Sequence, residues 1–175
     1  MIAYRHCDRR FPFLWSDPSQ PAARWHGRDE GPANYFADTP VGAWAEFLRH
    51  EGITDPADLP GVRRSLWAVE IPDGAYPSPT LPHGTLFGDL TSYADCQDEA
   101  RRLRAAGVDR LEAPSAALLP GSARGWVSVP DIQPAPGARS GKVWVWFGVR
   151  PDFVAWPTVE DGAPPSRILP LVRHL

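Results

Sequence analysis

Apolar and polar positions alternate at the start of the chain, with Ile2 and Tyr4 set against Ala3 and Arg5, which predicts a short strand over residues 1–6. Ala33-Asn-Tyr-Phe-Ala37 reads as a second strand and runs into Asp38-Thr39-Pro40. Thr39 is a suitable cap for a helix, and Pro40 suits its first turn. Val41, Trp44, Ala45 and Leu48 then share one helical face, so the spacing predicts an amphipathic helix over 40–50 with Glu46 off the apolar stripe. From Ser65 to Ile71, Leu66, Ala68 and Glu70 alternate with Trp67, Val69 and Ile71, the mark of another strand. A second helix starts at Thr91 or Ser92, with Asp95 in its first turn and Cys96, Ala100 and Leu103 as its inner stripe. Arg101, Arg102 and Arg104 lie near its negative end, and Gly107 stops it. Strands are expected at 108–113, at 125–129 and at 142–149, where Val143, Val145 and Phe147 alternate with Trp144, Trp146 and Gly148.

The intervening segments are irregular. Residues 8–31 form a long Pro-punctuated loop carrying Phe11, Phe13, Trp15 and Trp25, and a loop of that length in a compact domain is functional or disordered. Its four large aromatics favour order. Residues 52–63 are turn-rich, 72–90 and 130–141 are loop, and the tail after Pro151 is too rich in proline for regular structure except a strand at 167–173. No repeat or linker divides the chain. The expected architecture is α+β: a strand-rich single domain over 1–175, with two principal helices and long Pro-rich loops.

Composition changes this picture little. The chain has 175 residues, 21 of them proline and 15 glycine, but eight tryptophans argue against disorder. The net charge of −3 gives no bulk attraction to nucleic acid or anionic membranes. Lys142 is the sole lysine, so positive charge is almost entirely guanidinium, the better group for bidentate phosphate contacts. Cys7 and Cys96 lack metal-ligand spacing and are expected as two buried thiols. The start has no apolar signal core, and no window reaches the roughly 18 apolar residues of a membrane span, so a cytoplasmic protein is expected.

Taken one by one, the polar residues point to no chemistry. The five histidines show no zinc spacing, and there is no nucleophile elbow, phosphate-cradling glycine loop or dinucleotide glycine motif. A lone Glu46 on a helix surface is most often a solvated charge, Arg24 a surface ion pair, Tyr35 core packing and Ser115 turn chemistry.

Their order along the chain adds a resemblance. Ala23-Arg24-Trp25-His26-Gly27, then Gly31-Pro-Ala-Asn-Tyr35-Phe-Ala-Asp38-Thr39-Pro40, then Ala43-Trp44-Ala45-Glu46-Phe47-Leu48 resembles the opening of the RES domain, a family named for its arginine, glutamate and serine. The run from Ala106 to Ser115 resembles the family's serine segment, and Tyr4-Arg5 its first strand. The resemblance covers about residues 3–150 and leaves 151–175 as a C-terminal extension. His26 departs from it, standing where many relatives carry asparagine.

RES proteins are similar in fold to ADP-ribosyltransferase toxins. Characterised members degrade NAD⁺, and many are toxins paired with an antitoxin bearing an Xre-like DNA-binding domain. The resemblance therefore implies an enzyme that cleaves the nicotinamide–ribose bond of NAD⁺, as a glycohydrolase or phosphorylase and a growth-arresting toxin. Arg24, Tyr35, Glu46 and Ser115 would be its catalytic residues, and Arg24, Trp25 and Tyr35 its NAD⁺ contacts. No metal and no cofactor beyond NAD⁺ as substrate are expected. Candidate partners are an Xre-like antitoxin and a second copy of the chain. A mono-ADP-ribosyltransferase acting on protein, and a non-catalytic module whose tryptophans stack on a ligand, remain as alternatives.

Overall fold

A computed structural model of the protein describes residues 1–15, 20–124 and 138–175. Its frame is a six-stranded antiparallel sheet built from β1 (Ile2–Asp8), β2 (Ala33–Ala37), β3 (Arg64–Glu70), β4 (Arg110–Pro114), β5 (Lys142–Phe147) and β6 (Val154–Gly162). The spatial order is β4-β5-β2-β1-β3-β6. Among the described residues, three α-helices accompany it: α1 (Pro40–His50), α2 (His83–Phe87) and α3 (Tyr93–Ala105). The α+β expectation holds. Among the described residues, no helix is long and apolar enough to cross a membrane.

α1 starts where its cap demands. Thr39 has extended backbone, its hydroxyl accepts from the Gly42 N–H at 3.0 Å, and Pro40 opens the first turn. Trp44, Ala45, Phe47 and Leu48 then pack on Ala37 and Leu66, with Tyr4 at the margin of the same cluster. α3 buries Cys96, Ala100 and Leu103 against Leu111, Ala113, Val143, Val145 and Phe147. Ala37 stands opposite Val143 in the ladder, so both helices cover one face of the sheet.

The other face carries Ala3, Phe36, Val69, Trp144 and Trp146, sealed by Ile71 and Phe153. Trp144 and Trp146 are thus core residues, closed over by Tyr76 and Phe153, and do not form an open partner surface. The alternation along 142–147 is the pleat itself, valines to the helices and tryptophans to the far side.

The sheet is joined unevenly. β1 pairs with β3 from Ile2↔Glu70 to Asp8↔Arg64, and β2 pairs with β5 from Ala33↔Phe147 to Ala37↔Val143. Between β1 and β2, only Tyr4↔Ala37 is matched among the described residues. Beyond that point the two halves of the sheet part, and a cleft opens between them.

Several expectations need correction. The tail contains strand β6, and residues 166–171 form a 3-10 turn where a strand was expected. β6 is an edge strand with mostly exposed side chains, so it lacks a buried alternation, and the edge tolerates Pro157. Ile168 and Leu169 are adjacent yet both buried in the α1 cluster, which a turn permits and a strand does not. Residues 83–87 are helical within the expected 72–90 loop. Cys96 is buried, but Cys7 is only half-buried and borders the cleft. The expected strand at 125–129 lies outside the described residues.

Leu48 has no exposed surface and joins α1 to the sheet. Leu48→Ala is expected to lower unfolding free energy by about 3 kcal/mol. Leu90→Ala, at a 62% exposed position, should change it by less than about 0.5 kcal/mol. Denaturant titration of both variants checks the contrast.

Candidate active site

The cleft is a cavity of about 700 Å³, within the range of small-molecule sites. Its walls come from β1, from Ala33 to Ala37 of β2, from one side of α1, and from the loop between β1 and β2. Arg24, Trp25, Tyr35 and Glu46 all line it, with Ser115 directly behind Glu46.

Ser115 follows β4 and is 2% exposed. Its own N–H donates to the Gly141 carbonyl at 2.9 Å. The hydroxyl oxygen accepts from the N–H groups of Ala117 and Leu118, both at 3.3 Å, which leaves its proton for Glu46 Oε1 at 2.7 Å. The serine is therefore a directed donor to the carboxylate. Glu46 is half-buried, not the solvated helix charge that its spacing suggests, because the turn after β4 packs over its side of α1. Burial raises its pKa above the ordinary carboxylate range, while the Ser115 bond and the guanidinium groups of Arg49 and Arg24 oppose the rise.

Tyr35 is fixed from both sides of its hydroxyl. The Pro21 carbonyl can only accept, so His26 Nε2 donates to it at 2.9 Å and Nδ1 is left as an acceptor. Tyr35 gives its proton to that nitrogen at 2.8 Å, and its oxygen accepts from the Trp25 N–H at 3.1 Å. His26 is 1% exposed, and burial lowers its pKa, which keeps it neutral for this role. His26 is thus the residue that orients the phenol.

Arg24 is buried, and its fork is already engaged. Nη1 donates to the Thr85 carbonyl and to Ser92 Oγ, both at 3.1 Å, and Nη2 donates to the Gly88 carbonyl at 2.6 Å. Its guanidinium also lies 4.7 Å from the ring centre of Tyr93, another cleft residue. Arg24 therefore braces the 85–93 segment against the cleft and contributes charge more than free donors.

Sequence reasoning missed Arg49. It is 5% exposed and donates to the carbonyls of Ala116, Arg173 and Gly88 at 2.9, 2.6 and 2.7 Å. One signal was available: an arginine inside α1, three residues beyond Glu46 and so on the same side of the helix. Gly88 accepts from both arginines, and a Cβ there would stand 2.9 Å from the Gly84 carbonyl oxygen and 2.8 Å from the Ser92 side chain.

Arg5 and Arg64 line the cleft on the β1 side. Arg5 donates to Asn34 Oδ1 at 3.0 Å, and Arg64 donates to His6 Nδ1 at 3.1 Å. Each keeps a buried Nε with no partner. Burial pushes the Arg5 pKa down to about 10, which leaves it charged at neutral pH. Among the described residues, none of Arg5, Arg24, Arg49 and Arg64 has a carboxylate within ion-pair distance. Facing these four cations are Glu46, Glu51 and Asp8, the last already paired with Arg10 at 2.8 Å. The cleft is cationic in a chain of net charge −3.

Comparison with known proteins identifies a family. The RES domain model matches residues 2–140. No curated protein matches. Among solved structures, the crystal structure of the M. tuberculosis MbcT–MbcA toxin–antitoxin complex holds a chain similar in fold, with a TM-score of 0.61 and 15% identity. The alignment covers 91% of this chain and 84% of that one.

The raised pKa of Glu46 has a stability consequence. A carboxylate that is harder to ionise folded than unfolded costs stability as pH rises from the ordinary Glu range through the folded value. Glu46→Gln removes that cost. The variant should melt above wild type at pH 7, and the gap should close towards pH 4. A melting-temperature series for both proteins would show it, and a gap that widens on acidification would contradict the assignment.

Proposed function

We propose, on the premise that the chain belongs to the RES domain family, that it is an enzyme cleaving the nicotinamide–ribose bond of NAD⁺. The single observation that carries this reading is the half-buried Glu46 carboxylate, held by Ser115 in a dinucleotide-sized cationic cleft. Glycosidic cleavage of NAD⁺ needs those properties. The C–N bond breaks with its electron pair leaving on nicotinamide, and the ribose carbon passes through an oxocarbenium-like state. A fixed negative charge beside that carbon stabilises it, and a pre-set partner avoids reorganisation at the moment of reaction.

In this reading Glu46 lies under the nicotinamide ribose, bonding its hydroxyls and stabilising the developing cation. Ser115 sets the orientation of the carboxylate and keeps it ionised. Tyr35, held by His26 and the Trp25 amide, flanks the nicotinamide ring. Arg24 and Arg49 supply positive field for the pyrophosphate, and Arg5 and Arg64 add to it from the β1 side. The attacking oxygen comes from water, which releases a proton to solvent as it bonds to the ribose carbon and gives ADP-ribose, or from an already ionised oxygen of inorganic phosphate, which gives the phosphorylated form.

Two further parts of the reading rest on the comparisons. A RES chain with a toxin–antitoxin structural neighbour supports a growth-arresting toxin held in check by a partner protein of the Xre-like kind. It would act in the cytoplasm, where NAD⁺ is available. The aromatic-rich binding module loses support, because Trp25, Trp44, Trp144 and Trp146 are packed in the core.

Purified protein should release nicotinamide from NAD⁺, and a phosphate titration separates hydrolysis from phosphorolysis by the product formed. Glu46→Gln should lower kcat by about 100-fold or more while the chain stays folded. No release by folded wild-type protein at high concentration would refute the reading. Ser115→Ala removes a donor that favours the ionised carboxylate, so the acid limb of its pH–rate profile should move to higher pH than wild type. A limb displaced to lower pH would contradict the role given to Ser115.

A further inference from the structure

The cavity wall supplied by the loop after β1 holds a feature that cleavage chemistry leaves unused. Phe11 and Trp15 stack with ring centres 4.5 Å apart and an interplanar angle of 17°. Both border the cavity, yet they remain 38% and 47% exposed, whereas the tryptophans on β5 are buried. The segment carrying them is built by two turns. The Phe11 N–H donates to the Asp8 carbonyl at 3.0 Å, and the Trp15 N–H donates to the Pro12 carbonyl at 3.0 Å. Asp8 accepts from the Arg10 backbone and side chain, and the Arg10 guanidinium lies 5.6 Å from the Phe11 ring centre.

Position gives this pair a partner. Tyr4 touches β2 at the closed end of the split, and β1 then runs about 13 Å to Asp8 at its open end. His6, Cys7, Asp8 and Arg64 line that course, with His50 at the end of α1 and Glu51 just after it. A ligand with its reactive ribose at Glu46 and its phosphates among the arginines would send its second nucleoside towards Phe11 and Trp15. A half-exposed aromatic platform at that point offers a π face to a base, the contact by which proteins hold nucleobases without reading their edges.

We infer that the Phe11–Trp15 platform holds the adenosine half of NAD⁺ and sets affinity for the dinucleotide without touching the bond that breaks. The inference rests on the NAD⁺ reading above and deepens it. Arg64, which lines the cavity and is held by its Nη2 bond to His6, is the neighbouring cation for the adenosine-side phosphate.

The test compares the whole dinucleotide with its halves on the full chain. Trp15→Ala should raise KM for NAD⁺ about tenfold, with kcat within twofold of wild type. Nicotinamide release from nicotinamide mononucleotide, which lacks adenosine, should be the same in both proteins. Trp15→Phe should restore most of the KM. Calorimetric titration with AMP should give binding to wild type and about tenfold weaker binding to Trp15→Ala. An unchanged KM for NAD⁺, equal losses on dinucleotide and mononucleotide, or no AMP binding to wild type would each overturn the proposal. Should AMP bind and weaken as expected while NAD⁺ is not cleaved, the platform stands and the cleavage reading fails.

Discussion

The parting of β1 from β2 is the constraint on which the site depends. Antiparallel neighbours normally pair along their length, as β1 does with β3 and β2 with β5. Here, among the described residues, Tyr4↔Ala37 is the one ladder pair between the two halves of the sheet, with the Arg5–Asn34 side-chain bond beyond it. The gap must be bridged by something other than a ladder. α1 packs under the β1 side, α3 under the β5 side, and the long loop after β1 closes the open edge. A continuous sheet would have no cleft; a sheet parted without these elements would leave strand edges unsatisfied. The aromatic loop and the turn after β4 are therefore parts of the fold as much as parts of the site.

The same gap explains why so many charges sit near one another. Buried cations are costly unless their donors are matched. Arg24 and Arg49 meet that requirement with carbonyl oxygens instead of carboxylates, meeting at the Gly88 carbonyl. Carbonyl partners satisfy hydrogen bonds without cancelling charge, so the cleft keeps a positive field. A carboxylate pairing would have stabilised the arginines and neutralised the field together. Arginine serves this better than lysine, because its planar fork reaches several carbonyls at once and stays charged when desolvated. The near absence of lysine gains a physical meaning here, beyond composition.

Much of the fold was legible because its period-two and helical stripes are buried on one side. The helix at 40–50, the strand at 33–37 and the inner stripe of α3 follow from capping and spacing alone. β6 was not legible, since an exposed edge strand with a proline carries no hydrophobic alternation. The site residues were legible only through their serial likeness to a family. Glu46 shows the reason. Its burial is created by Ser115, 69 positions away, and no local window contains that contact. Arg49 was hidden for a related reason: its partners are backbone carbonyls, which have no sequence signature.

His26 extends this point from legibility to design. The side chain is nearly inaccessible, and both ring nitrogens are engaged. A neutral imidazole with one nitrogen donating to the Pro21 carbonyl has one lone pair left, aimed at the Tyr35 hydroxyl. An asparagine amide offers one donor group and one acceptor on a shorter arm, so it could serve as the same two-way connector only with the loop drawn closer. The loop between Pro21 and Gly27 and the phenol must then move as a unit, whatever side chain links them. A substitution of His26 is thus expected to shift the loop and the phenol together.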